Sequence, residues 1–129
     1  MAMNNPYERY QQNSVLSATP EQLTLMLYSG GVRFINQGIM HIEEKEIEKA
    51  HRALVRAQEI YQYLADTLNS EIEISANLHS VYDFITRQLM QANIKKDTAL
   101  LREVLGLAEE LRDTWEEAMQ KAREQVRED

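Results

Sequence analysis

Residues 19–42 read TPEQLTLMLYSGGVRFINQGIMHI, and the way this stretch starts and repeats decides the fold. Thr19 stands before Pro20, with Gln22 completing a T-x-x-Q pattern. Threonine caps the first free amides of a helix, proline suits the first helical position, and the glutamine returns the bond, so the pattern predicts a helix start. Stepping about 100° per residue places Leu23, Leu27 and Phe34 within about 40° of one another. Leu25, Tyr28, Val32, Ile35, Ile39 and Ile42 carry the apolar arc to about 200°, with Gly31 and Gly38 in a trough of small residues between the groups. A surface helix needs an apolar stripe of about 100° or somewhat more, so this helix has apolar surface to spare. Leu23, Leu27 and Phe34 are expected in the core. Leu25, Tyr28, Val32, Ile35 and Ile39, with Val55, Tyr63 and Tyr82, are expected to form an exposed strip, the kind of surface that binds a partner. Glycine inside a helix costs about 1 kcal/mol against alanine. Gly31 and Gly38 therefore imply close approach, either of a neighbouring helix or of a bound partner.

The first helix is expected from Pro20 to about Glu44, and the second from near Glu46. The second repeats every seven residues, with Ile47, Leu54, Tyr61 and Leu68 alternating with Ala50, Ala57 and Leu64. Ser70 and Glu73 form an S-x-x-E box for a third helix, which carries Ile74, Leu78, Val81, Ile85, Leu89 and Ala92 on one face. Asn93 is expected in the left-handed conformation that ends this helix, folding Ile94 onto Leu89. Asp97 caps a fourth helix striped by Leu101, Ala108, Trp115 and Ala122, interleaved with Val104, Leu111 and Ala118. Short connections force neighbours antiparallel, so the fold class is all-α, an up-down-up-down four-helix bundle with a mobile N-terminal segment. Residues 1–18 form that segment, 19–123 the bundle, and 124–129 a charged tail that frays.

Composition bounds the function. The 129 residues are enough for one domain with a real core, and 2 prolines and 4 glycines leave little room for turns. A net charge of −7 argues against nucleic acid as the main partner. The absence of cysteine excludes disulfides and thiolate metal sites and agrees with a cytoplasmic location. No signal peptide and no stretch able to insert in a membrane is present. A di-iron bundle needs two inward E-x-x-H pairs. The single match, Glu48 and His51, falls outside the inward positions Ile47, Ala50 and Leu54, and His41 and His79 have no such partner. No nucleophile elbow or phosphate loop is present either. The chain is expected to be no enzyme, with no metal and no cofactor. Residue chemistry alone leads to a bundle that binds a protein through apolar surface, or one that closes its own excess surface as a homodimer.

Several strings then resemble the FliS family of flagellar secretion chaperones. They are Tyr10-Gln11-Gln12-Asn13, ATPEQLTLMLYSG at 18–30, YDFI at 82–85, ANIKKD at 92–97, EVLGL at 103–107 and LRDTWEEA at 111–118. Gly31, where the family more often has alanine, and Leu105, where it often has an acidic residue, depart from the pattern. The resemblance implies a cytoplasmic chaperone. It would bind the disordered C-terminal segment of flagellin, block premature polymerisation and keep the client competent for the flagellar type III export apparatus. It also implies that the N-terminal segment plugs part of the binding site, a role that falls here on Tyr7 and Tyr10. The expected client contacts are Leu25, Tyr28, Val32, Ile35, Ile39, Tyr63 and Tyr82. The alternative is a self-associating structural bundle without a flagellin client.

Overall fold

The structure, a computed structural model, describes residues 17–69 and 75–128. Four helices follow one another: α1 (Pro20–Glu43), α2 (Ile47–Asp66), α3 (Ser75–Lys95) and α4 (Thr98–Glu128). There is no strand among the described residues. Each helix packs on its sequence neighbours, and α4 returns to close against α1, so the expected bundle is the observed one.

Helix α1 begins as its sequence dictates. Thr19 Oγ1 accepts from the Gln22 amide at 3.1 Å, and Gln22 Oε1 accepts from the Thr19 amide at 3.0 Å. Both α1 and α3 are followed by a lysine with positive φ, Lys45 at 63° and Lys96 at 51°. The amide after each lysine reaches five residues back: Glu46 to the His41 carbonyl at 2.8 Å, and Asp97 to that of Ala92 at 3.0 Å. This is the Schellman pattern, and it turns the chain sharply enough for α2 and α4 to start at once. The left-handed residue of the second turn is thus Lys96, and Asn93 lies inside α3. Ile94 does not fold onto Leu89; it is 82% exposed. Asp97 caps α4 as expected, its Oδ1 accepting from the Leu100 amide at 3.1 Å. The Ser70–Glu73 box lies outside the described residues. The fourth helix runs on past Arg123 to Glu128.

The core reverses the two half-faces expected of α1. Tyr28, Val32, Ile35 and Ile39 are buried together with Leu54, Ala57, Tyr61, Tyr82, Ile85, Leu89, Leu101 and Ala108. Leu27 and Phe34 are only partly buried at the core's edge, and Leu23 is half-exposed. The glycines explain the reversal. A Cβ on Gly38 would lie 2.5 Å from Leu54 Cδ2, and one on Gly31 would lie 2.6 Å from Tyr61 Cζ. The glycine trough therefore faces the middle of α2, and the residues on one side of it are carried into the bundle. Close approach of a neighbouring helix, through its side chains, accounts for both glycines. Ile47 departs from its repeat: it is the first residue of α2 and is 49% exposed.

Candidate functional site

Midway along the bundle, three tyrosines and a tryptophan meet, one from each helix. The Tyr28 and Tyr82 hydroxyls share a short hydrogen bond that joins α1 to α3 across the core. Their rings lie 6.2 Å apart, and Trp115 meets Tyr28 edge-on at the same distance. Tyr61 is fully buried, and its hydroxyl has no hydrogen-bond partner. Burial pushes the Tyr61 and Tyr82 phenols well above their ordinary value. For Tyr82 the bond to Tyr28 adds to the rise; Tyr28 is also raised by burial, offset in part by that bond. All three therefore stay neutral, and the layer works as packing with a polar seam.

Of the residues expected on an exposed strip, Tyr28, Val32, Ile35, Ile39 and Tyr82 belong to this core, at 5% exposure or less. They are corrected to core residues. Leu25 and Val55 are half-exposed and Tyr63 is exposed, and the three do not form one strip with the buried five. Tyr7 and Tyr10 lie outside the described residues.

The open apolar surface lies elsewhere. Trp115 Nε1 donates to the Glu21 carbonyl at 3.0 Å, tying α4 to the first turn of α1. Past this tie the two helices border a groove of about 760 Å³. Leu25, Met119, Ala122 and Val126 supply its apolar walls, and Thr19, Glu21, Gln22 and Arg123 its polar rim. Val126 is 77% exposed. Sequence reasoning expected Leu25 to be accessible on a strip with Tyr28 and Val32; it is half-exposed and borders this groove instead, beside Met119 and Val126, which that reasoning did not single out. The signal was available: Met119, Ala122 and Val126 recur at helical spacing beyond Trp115. A second accessible face runs over α1 and α2, with Met26 and Tyr63 exposed and Leu27, Phe34 and Ile60 half-covered.

Two polar clusters stand at the turns between helices. His41, Glu44 and Glu46 bring potential ligand atoms within 4.8 Å of one another at the α1–α2 turn. Glu46 is already engaged, however, accepting from Lys49 at 2.9 Å and pairing with His41 at 3.0 Å. Lys49 first, and then His41, hold its carboxyl down at about 2. His51 does not pair with Glu48 in the manner of a metal site; its Nδ1 meets Asn93 Nδ2 at 3.0 Å. Lys96 Nζ donates to Asn93 Oδ1 at 2.8 Å, which leaves the amide nitrogen of Asn93 to donate to His51 Nδ1. The node fastens α2 to the α3–α4 turn.

No helix is long and apolar enough to cross a membrane among the described residues. A family model described as flagellar protein FliS matches residues 3–122. The chain is 49% identical to the flagellar secretion chaperone FliS of Bacillus subtilis over 123 residues, covering 95% of this chain and 92% of that one. It is 32% identical to the flagellar secretion chaperone FliS of Salmonella typhimurium, covering 86% and 84%. The same fold occurs in a solved structure titled as a flagellar chaperone from bacteria. That structure has a TM-score of 0.74 and 18% identity, and the match covers 89% of this chain and 95% of that one. A four-helix bundle held by a tyrosine layer, open along α1 and α4 and matched over most of its length at this identity, is a member of the FliS family of flagellar secretion chaperones.

Proposed function

We propose that this chain is a cytoplasmic export chaperone that holds the C-terminal segment of flagellin in an unpolymerised state until the flagellar export apparatus takes it. The observation that carries this reading is the open groove between α1 and the C-terminal third of α4, in a protein whose relatives are named as flagellar secretion chaperones. The groove has apolar walls and a polar rim, which suits the apolar face of an amphipathic helix. Leu25, Met119 and Val126 are its anchors. Each apolar side chain fully covered by the client contributes about 1.5–3 kcal/mol. Tyr63, on the α1–α2 face, is a further contact for an extended part of the client. Ordering the client costs about 2–5 kcal/mol or more, so several such anchors are needed before binding is tight.

Binding and release need no covalent step in this scheme. The chaperone acts by covering the surface through which flagellin subunits would join, and protection lasts as long as the complex. The N-terminal segment, with Tyr7 and Tyr10, is the proposed plug of the vacant site. Its junction with the bundle at Thr19 lies on the groove's rim, which favours this role.

The test is titration of Leu25→Asp and Met119→Asp variants with a peptide of flagellin's C-terminal segment. Each should weaken binding by about tenfold or more, since a charge set against an apolar client costs upward of 1.4 kcal/mol. Both should still melt cooperatively, because neither residue belongs to the buried core. Unchanged affinity in both variants would place the client on another face.

A further inference from the structure

The chain carries a net charge of −7, yet one groove on its surface is basic. It lies between α1 and α2 and encloses about 280 Å³. Phe34, His41, Lys49, Arg52 and Arg56 line it around the buried Ala53, and no carboxylate does. Two guanidinium groups attend the Phe34 ring, Arg33 at 5.0 Å from its centroid and Arg56 at 5.8 Å. Lys49 is matched by Glu46. Arg33, Arg52 and Arg56 make no ion pair among the described residues. Acidic residues outnumber basic ones by 21 to 14 in this chain, so two unpaired guanidinium groups in the lining of one groove, with a third beside its Phe34, do not follow from composition.

We propose that this groove docks an acidic peptide segment of a partner protein, with an apolar side chain of that segment set against Phe34. The chemistry selects the occupant. Arginine is weakly hydrated and presents a planar fork of donors that fits a carboxylate in bidentate fashion. Arg52 and Arg56 stand four residues apart on one helix, a rise of about 6 Å. Alternate residues of an extended chain are separated by about 6.6 Å, so glutamates or aspartates at every second position meet both guanidinium groups. The half-covered Phe34 supplies what a simple anion does not use, an apolar surface between the charges. A polynucleotide would have to bring a long run of phosphates against a strongly acidic protein, whereas a short peptide need match only the local charge. The groove lies toward the α1–α2 turn and shares no lining residue with the α1–α4 groove, and Tyr63 stands seven residues beyond Arg56 along α2, so this site is separable from the proposed flagellin contacts.

The experiment is fluorescence anisotropy of the full chain with a short labelled peptide of alternating glutamates around one phenylalanine. A counterpart carries glutamine in place of every glutamate. The acidic peptide should bind at low ionic strength and weaken steeply with added salt. The exposed pair Arg52→Glu and Arg56→Glu, made together, should reduce its affinity by about tenfold or more while leaving thermal melting and flagellin-peptide binding unchanged. Arg56→Lys, which keeps the charge and loses the fork, should give a smaller loss. Equal binding of the glutamine peptide, or unchanged affinity in the double variant, would overturn the proposal. So would displacement of the peptide by inorganic phosphate or an RNA oligonucleotide at lower concentration than unlabelled peptide. Loss of flagellin-peptide binding in the same variant would overturn the independence of the two sites.

Discussion

Replacing Gly38 with alanine isolates the packing that turns α1 toward the core. The new Cβ would lie 2.5 Å from Leu54 Cδ2 and 2.8 Å from Leu54 Cγ. Leu54 is fully buried, so it has no free direction in which to yield. Overpacking of this kind costs about 1–3 kcal/mol. Alanine also gains about 1 kcal/mol of helix propensity over glycine, which partly hides the clash. Gly106 supplies the reference, because it is exposed within α4 and a Cβ there meets nothing within 4 Å. Gly106→Ala should therefore stabilise by about 1 kcal/mol, the propensity gain alone. The two variants should differ by about 1–3 kcal/mol, a gap in Tm of roughly 5–15 °C for a domain of this size. Circular dichroism melts and urea titrations read it directly. In a Leu54→Ala background the penalty at Gly38 should vanish and the same substitution become favourable, as contacting residues couple. If Gly38→Ala and Gly106→Ala melt together, α1 does not pack on α2 through the glycine trough and the assignment of its buried face is wrong.

The tyrosine layer gives two further expectations. Tyr61→Phe should be neutral or stabilising by up to about 1 kcal/mol, because its hydroxyl is buried without a partner, whereas Tyr82→Phe should cost about 1–3 kcal/mol by leaving the Tyr28 hydroxyl unpaired; urea titration orders them, and the reverse order would refute the layer. Tyr28, Tyr61 and Tyr82 have phenols raised above the ordinary value of 10.0, so above that pH the unfolded chain releases protons that the folded chain keeps, and stability falls as pH rises. Absorbance of ionised tyrosine should show these three of the six tyrosines titrating only as the helices melt; smooth titration of all six in the folded protein would contradict their burial.

The four helices were legible in the sequence because each carries its own start signal or apolar period. The Thr19–Gln22 capping box and the Asp97 cap form as their patterns predict. What periodicity could not supply was the rotation of α1. A helical wheel orders residues around an axis without saying which neighbour each one meets, and the apolar arc of α1 was wide enough to be divided either way. Leu27 and Phe34 looked like core because they cluster tightly, yet Tyr28, Val32, Ile35 and Ile39 fill the bundle. The deciding fact, that Gly31 faces Tyr61 and Gly38 faces Leu54, is a contact between helices. The end of α3 failed for a similar reason: asparagine is a good left-handed residue in general, but the chain continues its helix to Lys95 and turns at Lys96. The α1–α4 groove depends on the last turns of α4 lying beside the start of α1; their charge concealed Val126 within an apparent tail, and Met119 went unnoticed inside the expected bundle.

Isothermal titration of the full chain with the C-terminal segment of its cognate flagellin tests the central claim most directly. The account predicts saturable one-to-one binding, a negative heat-capacity change from buried apolar surface, and a gain of helix in the complex. Absence of binding heat across temperature, with spectra that simply add, would contradict it.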